Sequence, residues 1–192
     1  MQAGPKKNLV LFASGSGTNV EAIANYFQDH PDIRVSTVLT NKRNAKVIDR
    51  CNRLNISALT FNKWAFYQSE TVLKVLKILN PDLIVLAGFL WKVPEVIVRE
   101  FKGRIINIHP ALLPKYGGKG MYGIHVHEAV RASGDEHTGI TIHYVNEAYD
   151  EGAIIRQVKI PVRPEDSPED IAKNVHQLEY QHFSEVIQEL LT

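Results

Sequence analysis

Asn107 and His109 stand two residues apart in a short apolar run that begins at Arg104. The isoleucines of this run predict a buried strand, and side chains alternate between the two faces of a strand, so the amide and the imidazole share one face. Pro110 follows at once, and proline cannot extend the hydrogen-bond ladder. The sequence therefore predicts two polar groups side by side where a strand opens into a loop. Such donors can stabilise the negative charge that develops on a carbonyl oxygen.

A purely structural role is the alternative for both residues. Asn107 would then cap the end of the strand, and His109 would be a half-buried histidine bonded to backbone, as most polar residues near strand ends are. Their pairing on one face at the end of a strand favours the functional interpretation.

A second candidate is the glycine turn Gly15–Asn19, which joins an apolar strand to a helix. Glycine lets the backbone approach an anion closely, and the start of a helix offers unpaired N–H groups at the positive end of its dipole. The turn is not a dinucleotide fingerprint, because Val20 replaces the third glycine and no acid follows in Thr40-Asn41-Lys42. The pattern indicates a site for one terminal phosphate, with a turn that only serves packing as the alternative.

Asp150 is a third candidate. The segment 146–152 around it has the composition of a solvated turn, but this segment follows a predicted strand in which Thr141 and His143 share a face. A carboxylate beside His109 would favour the imidazolium form and could accept a proton.

Glu179 is the fourth candidate, because it interrupts an apolar stripe of the last predicted helix. A carboxylate in such a stripe needs a cation or a hydrogen-bond donor, which is either a structural Lys or Arg or the amine of a ligand. The stripe is formed at i+4 spacing by Ile171, Val175, Phe183 and Ile187.

A catalytic metal is the competing interpretation of the histidines. His125 and His127 offer two ligands and His109 a third, but no His-Glu-x-x-His motif is present and the pair lies in a glycine-rich stretch. We therefore expect no metal.

Strands and helices alternate along the chain, which predicts an α/β fold with a Rossmann-like, mostly parallel twisted sheet and helices on both faces. Ligands of such sheets bind outside the carboxyl ends of the strands. The second half predicts an edge strand at 157–162, where apolar and polar residues alternate, and a final helix that begins after Ser167. The predicted strands are 8–14, 34–40, 56–60, 83–87, 104–109 and 139–145, and the predicted helices before the last one are 19–28, 44–54, 69–79, 94–101 and 126–133.

Composition narrows the function further. The chain has 192 residues, a net charge of +1, 44% hydrophobic and 22% charged residues, and Cys51 as its one cysteine. These values are typical of one globular domain, here 1–192, without a basic nucleic-acid surface, a disulfide or a thiolate metal cage. The apolar run after Lys6 and Lys7 ends at Ala13, too short for a membrane span or a signal peptide. We expect a cytoplasmic protein with no membrane or nucleic-acid partner, as a monomer or homodimer.

The segment 107–114, Asn-Ile-His-Pro-Ala-Leu-Leu-Pro, resembles the Asn-x-His-Pro-Ser-Leu-Leu-Pro signature of the folate-dependent formyltransferases. The segments 14–19, 86–90, 139–143 and 150–152 are also similar to that family, so the resemblance covers essentially the whole chain. It implies an enzyme that moves a formyl group from 10-formyltetrahydrofolate to an amine. The resemblance is strongest to members whose amine substrate is phosphoribosylglycinamide, a small molecule of purine synthesis. It also implies the family's sheet, which carries an antiparallel edge strand in its C-terminal half.

The resemblance also implies roles for individual residues. The catalytic group would be Asn107, His109 and Asp150, with a cis peptide bond before Pro114. The substrate phosphate would be held by Gly17, Thr18 and Asn19, and the glycinamide end by Glu179. The folate pocket would be lined by Leu90, Trp91, Lys92, Val93, Asn146, Glu147, Ala148 and Tyr149, together with Asn107 and Asp150.

Two alternatives remain open. Another 10-formyltetrahydrofolate-dependent formyltransferase could act on a nucleotide-sugar amine, although that ligand carries a diphosphate and the glycine turn suits one phosphate. A member acting on tRNA is expected to carry a further basic domain beyond Thr192. A non-catalytic nucleotide-binding regulator is the alternative from another class, and it would not need Asn107, His109 and Asp150 together.

Overall fold

The protein is built on one seven-stranded sheet, which we describe from a computed structural model that covers residues 5–192. The first four residues of the predicted 1–192 domain lie outside the described part of the chain. The strands are β1 Lys7–Ala13, β2 Ile33–Thr40, β3 Ser57–Thr60, β4 Leu83–Leu86, β5 Ile105–His109, β6 His137–Tyr144 and β7 Ile154–Pro161, in the order β3-β2-β1-β4-β5-β6-β7.

The first five strands pair in parallel, and β6 is antiparallel to both of its neighbours, β5 and β7. The prediction of a mostly parallel sheet with an antiparallel part in its C-terminal half is confirmed. The central strands are continuous apolar runs because helices cover both of their faces; all four residues of β4 are buried. In β7, by contrast, exposed and partly buried residues alternate, as expected for the edge of the sheet.

Helices lie on both faces of the sheet. The helices are α1 Thr18–Phe27, α2 Val47–Arg53, α3 Lys63–Tyr67, α4 Thr71–Leu79, α5 Glu95–Glu100, α6 Ile124–Ser133 and α7 Pro168–Leu191. The core on one face joins the sheet to α1, α2, α6 and α7, and the core on the other face joins it to α3, α4 and α5. No helix among residues 5–192 combines the length and the hydrophobicity needed to cross a bilayer.

The short helix α3 was not predicted, and α2 begins three residues later than expected. The signal for α3 was Asn62, whose side chain accepts a hydrogen bond from the N–H of Ala65 at 2.9 Å as an N-cap. A helix of five residues shows too little periodicity to be recognised from apolar spacing. The helix α7 begins as predicted, with Ser167 and Asp170 forming a capping box.

The carboxyl ends of β1, β4 and β5 open onto the same rim of the sheet. The turn after β1, the segment after β4 and the end of β5 therefore meet there, together with the loop that follows the antiparallel strand β6. The peptide bond before Pro114, in the loop after β5, is cis, as the resemblance implies.

Candidate functional site

A cavity of about 460 Å³ lies at this rim and brings together most of the predicted site residues. It spans from the start of α1 to the end of β5 and is closed on one side by α7. The predicted residues that line it are Gly17, Thr18, Asn19, Leu90, Asn107, His109, Tyr149, Asp150 and Glu179.

At the centre of the cavity, Asn107 is held by a histidine from the neighbouring strand. Asn107 pairs with His143 in the antiparallel register of β5 and β6, and Nδ2 of Asn107 lies 3.1 Å from Nε2 of His143. Nδ1 of His143 lies 2.9 Å from the carbonyl oxygen of Tyr144, which can only accept, so Nδ1 carries the proton and Nε2 accepts from the amide. The His143 ring thus fixes the orientation of the Asn107 amide.

His143 was not among the predicted site residues, although the shared face of Thr141 and His143 pointed to it. Its ring is buried, and burial lowers its pKa below the ordinary value, against the opposing effects of its bond to Tyr144 and of the Asp150 charge. A neutral ring agrees with the acceptor role of Nε2.

His109 is almost fully buried, with 3% of its surface exposed. Its Nε2 donates to the carbonyl oxygen of Tyr116 at 2.7 Å, which leaves Nδ1 facing Oδ2 of Asp150 at 3.6 Å. Burial lowers the pKa of His109 and outweighs the opposite effect of Asp150. Asp150 does favour the imidazolium, as expected, but the resting ring is held toward its neutral form, in which Nδ1 is an acceptor.

Asp150 lies between the two histidines. Its Oδ1 is 3.7 Å from Nε2 of His143, and its Oδ2 accepts a hydrogen bond from the N–H of Gly118 at 2.9 Å. Asp150 adopts a left-handed backbone conformation, with φ of 54°. This conformation is costly for a residue with a side chain, and residues that adopt it are concentrated at functional sites. The carboxylate is therefore directed back to the end of β5, within reach of His109.

The glycine turn forms the other end of the cavity. Gly17 is the residue before α1 and has φ of 75°; a Cβ there would overlap the side chain of Val47, whose Cα is only 3.0 Å away. The turn is fixed from outside by Arg50, whose Nε donates to the carbonyl oxygen of Ser16 at 2.7 Å. The first N–H groups of α1, which have no partner within the helix, therefore face the cavity. Lys42, which was not among the predicted site residues, lines the same cavity.

Glu179 joins α7 to this end of the cavity. It is 5% exposed, and its Oε2 accepts a hydrogen bond from Nδ2 of Asn19 at 2.9 Å. Burial raises the pKa of Glu179, against the effects of Asn19 and His176. Within residues 5–192 no Lys or Arg forms a salt bridge with it, so the structural cation that the sequence left open is not its partner. The amide oxygen of Asn19 is buried and also has no partner in this part of the chain.

The predicted folate-binding residues divide into three sets. Leu90, Tyr149, Asp150 and Asn107 line the main cavity. Trp91 and Lys92, again with Leu90 and Tyr149, line an adjoining outer groove in which Nζ of Lys92 lies 5.5 Å from the centre of the Tyr149 ring. The remaining residues line neither space.

These remaining residues are Val93 and the three that precede Tyr149. Val93 is buried in the core between the sheet and α5. Asn146 accepts a hydrogen bond from the N–H of Ala148 at 3.0 Å, which shapes the loop, and Glu147 is exposed.

The histidines considered as metal ligands do not form one cluster. His125 is exposed and bonds to Glu128 at 3.0 Å, whereas His127 is buried and lines the cavity. Burial, with His176 and His109 nearby, lowers the pKa of His127 to about 4. Residues 5–192 contain no group of three or more His, Cys, Asp or Glu side chains placed to hold a metal ion.

Comparison with known proteins gives one consistent family. The family model described as formyl transferase matches residues 7–187. The phosphoribosylglycinamide formyltransferase of Bacillus subtilis (strain 168) is 36% identical over 192 residues, covering 96% of this chain and 95% of the relative. The crystal structure of glycinamide ribonucleotide transformylase 1 from Geobacillus kaustophilus superposes with a TM-score of 0.88 at 34% identity, covering 97% of this chain and all of that one.

The plant relatives are longer. The chloroplastic phosphoribosylglycinamide formyltransferase of Arabidopsis thaliana is 39% identical over 188 residues, which is 95% of this chain but 64% of the relative. The match to the Vigna unguiculata enzyme likewise covers 61% of that relative. This chain therefore spans less than two thirds of the length of the plant proteins that it matches.

Proposed function

The chain belongs to the formyl transferase family, and from that premise we propose that it transfers the formyl group of 10-formyltetrahydrofolate to the amine of 5'-phosphoribosylglycinamide in de novo purine biosynthesis. Membership of the family gives a formyl donor derived from folate. The observation that carries the proposal is that one cavity joins the start of α1, Glu179 and the group Asn107, His109 and Asp150. The start of α1 would bind a phosphate, Glu179 an amine, and Asn107 and His109 the oxygen of a reacting carbonyl.

The amine substrate would enter with its phosphate on the N–H groups of Ser16–Asn19, at the positive end of the α1 dipole. Lys42 adds a cation at the same end. The glycine amine would then reach Glu179, the buried carboxylate beside Asn19. A carboxylate with a raised pKa can hold an amine in its uncharged, nucleophilic form by exchanging a proton with it.

The attacking nitrogen adds to the formyl carbon, and the formyl oxygen acquires negative charge. Asn107 has two N–H bonds on Nδ2, and one of them is used by His143, so the other can donate to that oxygen. His109 can donate from Nδ1 only after it gains a second proton, because Nε2 is committed to Tyr116. The oxyanion itself would favour that protonated ring.

Asp150 supports the proton movement. Its Oδ2 lies 3.6 Å from Nδ1 of His109, and its negative charge opposes the effect of burial on the pKa of that ring. A proton must leave the attacking nitrogen and reach the leaving nitrogen of the folate, and Asp150 and His109 would carry it directly or through water. The products are the N-formyl amide and tetrahydrofolate.

The folate would occupy the side of the cavity that opens toward the outer groove. Leu90 and Tyr149 are respectively 42% and 40% exposed and line both spaces, so they offer apolar surface to a planar ring. Lys92 lies at the same groove and provides a cation for a carboxylate of the folate tail. We take the chain as one formyltransferase domain, 1–192, acting on these small molecules; the cytoplasmic location and a monomeric or homodimeric state stay predictions.

The test is a formyl-transfer assay on the purified chain with 10-formyltetrahydrofolate and a choice of amine acceptors. We expect tetrahydrofolate to form in stoichiometric amounts with formylated phosphoribosylglycinamide, and His109→Ala to abolish most of this turnover. Turnover only with an amino-sugar nucleotide would instead assign the chain to a different acceptor. A parent protein that binds both substrates without turnover would identify a regulator.

A further inference from the structure

The segment 116–118, in the loop after β5, contacts both His109 and Asp150. The carbonyl oxygen of Tyr116 accepts a hydrogen bond from Nε2 of His109 at 2.7 Å. Two residues later, the N–H of Gly118 donates to Oδ2 of Asp150 at 2.9 Å. The first bond fixes which nitrogen of the imidazole carries the proton, and the second fixes the direction of the carboxylate. One short piece of backbone therefore orients both side chains.

Tyr116 adopts a backbone conformation that needs support from outside. Its φ of 58° lies in the left-handed region, which is costly for a bulky residue and persists only where surrounding contacts impose it. The earlier part of the loop is held by the sheet, where Thr141 accepts from the N–H of Leu113 at 3.0 Å and Gln157 donates to the carbonyl oxygen of Leu113 at 2.9 Å. These contacts end before Tyr116, so they do not fix the segment 116–118.

The hydroxyl group of Tyr116 ties the segment to the end of α6. It donates to Oδ2 of Asp135 at 2.7 Å and lies 2.6 Å from Oγ of Ser133. Asp135 follows Gly134, at which α6 ends, and its own N–H donates to Oγ of Ser133 at 3.2 Å. The rest of the Tyr116 side chain packs against the core that joins the sheet to α6 and α7. Asp135 is thus an anchor on the main body of the protein.

Asp135 is kept in its charged form by two donors. Hydrogen bonds from Lys115 and from Tyr116 lower the pKa of Asp135 below its ordinary value. The ionised carboxylate can only accept, so the hydroxyl of Tyr116 is the donor in their bond. Lys115 approaches from solvent, with 66% of its side chain exposed, and an exposed ion pair contributes little to stability. The bond from Tyr116 is therefore the contact that holds the segment.

We propose that Tyr116 and Asp135 are positioning residues of the reaction, because their hydrogen bond holds the segment 116–118 against His109 and Asp150. The inference rests on the proposed function, in which Nδ1 of His109 receives a proton and donates to the formyl oxygen. While Tyr116 engages Nε2, Nδ1 stays free for that second proton. Without the anchor, the proton of the neutral ring can move to Nδ1, where it pairs with the carboxylate of Asp150.

The kinetic test compares three variants of the full chain. Tyr116→Phe removes the hydroxyl and keeps the ring, and Asp135→Ala removes the acceptor. We expect both to lower kcat by about tenfold to 100-fold with little change in either KM, as the misplacement of a reacting group does. Lys115→Gln is the matched control, because it removes only the exposed cation from the same carboxylate, and its kcat should equal that of the parent.

Asp135→Asn separates the hydrogen bond from the charge. The amide keeps an oxygen that can accept from the hydroxyl of Tyr116, so this variant should retain far more turnover than Asp135→Ala. Equal losses in Asp135→Asn and Asp135→Ala would contradict an anchor that works through the hydrogen bond. An equal loss in Lys115→Gln would contradict it as well.

Nitrogen-15 NMR of the histidine rings separates positioning from general stability. Above neutral pH the parent should carry the His109 proton on Nε2, and the signals are assigned by their absence from His109→Ala. In Tyr116→Phe part of the proton should appear on Nδ1, which faces Oδ2 of Asp150 at 3.6 Å. A lower melting temperature with unchanged kcat and an unchanged proton position would overturn the proposal, since the bond would then be structural only.

The NMR measurement also distinguishes failure of this inference from failure of the proposed function. It needs no substrate and does not depend on the amine acceptor. A parent without formyl transfer would refute the proposed function, whereas a proton that stays fully on Nε2 in Tyr116→Phe would refute the positioning of His109 by the segment 116–118.

Discussion

At the α1 end of the main cavity the chain offers backbone N–H groups, whereas at the β5–β6 end it offers side chains. The first end is formed by a turn whose shape depends on Gly17 and on the packing of Val47 against it. The second is formed by an amide, two imidazoles and a carboxylate, which are linked in sequence by the distances Asn107–His143 of 3.1 Å, His143–Asp150 of 3.7 Å and Asp150–His109 of 3.6 Å. Under the proposed function, binding of the phosphate would be a property of the backbone fold, and the chemistry would be a property of a few replaceable side chains.

The difference between the two ends predicts how substitutions at each end impair binding or turnover. Removing a side chain at the β5–β6 end takes away a charge or a donor and leaves the sheet intact, so turnover falls while binding survives. At the α1 end no single side chain carries the proposed phosphate site, and a change must distort the backbone of the turn to abolish phosphate binding.

Asn107→Ala and His109→Ala should each lower turnover by about 100-fold to 1000-fold, because each removes one donor to the oxyanion. The dissociation constants of both substrates should change little. Steady-state kinetics and direct titration measure the two quantities, with His137→Ala as a control, since that histidine is exposed at the start of β6. Weakened binding with normal turnover would mean that Asn107 and His109 bind a substrate and do not stabilise the oxyanion.

Asp150→Asn should lower turnover by about 100-fold, the typical contribution of proton transfer by a positioned group. The pH profile gives the sharper result. Burial already lowers the pKa of His109 and Asp150 opposes that effect, so losing the carboxylate lowers this pKa further. If the protonated ring is the active form, activity is lost as the pH rises through this pKa, and the loss moves to lower pH in the variant. Glu151→Gln, which replaces the exposed neighbouring acid, is the control and should not shift the pH profile. An unshifted profile in Asp150→Asn would show that the carboxylate does not act on His109.

Gly17→Ala should weaken binding of the amine substrate by about tenfold or more and should lower the melting temperature, because the new Cβ overlaps Val47 at a backbone angle that favours glycine. Turnover at saturating substrate should fall less than in Asn107→Ala. Gly103→Ala is the matched control: Gly103 has a similar φ of 73°, a Cβ there meets nothing within 4 Å, and the residue does not line the cavity, so substrate binding should be unchanged. Equal affinities in parent and Gly17→Ala would exclude the turn as the phosphate site.

Glu179→Gln should raise the KM for the amine substrate by about tenfold, the usual scale for losing a charged hydrogen bond, and should leave folate binding unchanged. Glu189→Gln makes the same replacement on the exposed side of α7, where the acid contacts Arg156, and should have no such effect. An unchanged KM in Glu179→Gln would leave its bond to Asn19 as a structural contact only.

The same contrast explains what the sequence could predict. The continuous apolar run of β4 made the parallel half of the sheet predictable. The short apolar strand β5, followed by Pro110, made the shared face of Asn107 and His109 predictable, because the alternation of side chains along a strand is local. The carboxylate of Glu179 was found because it interrupts an apolar stripe. His143 was noted on the right face but not assigned, because only the antiparallel register places it opposite Asn107. That pairing joins residues 36 apart and has no local signal.

The direction of the His109 pKa shift could not be predicted from the sequence either, because it depends on the balance between burial and charge. From the sequence, Asp150 near His109 predicts a raised histidine pKa, whereas the burial of His109 by the loop around Tyr116 lowers it. Lys42 and His176 line the cavity because of how the β2 end and α7 pack against it. Neither residue stands in a motif.

The most direct measurement is a crystal structure of the chain with phosphoribosylglycinamide and a folate analogue that cannot transfer its one-carbon group. We predict that the phosphate binds the N–H groups of Ser16–Asn19, that the glycine amine lies beside Glu179, and that the one-carbon position of the folate lies within hydrogen-bond reach of Asn107 and His109. A phosphate bound away from α1, or a folate whose reacting end lies away from Asn107 and His109, would contradict the division of the cavity into a backbone end that binds and a side-chain end that reacts.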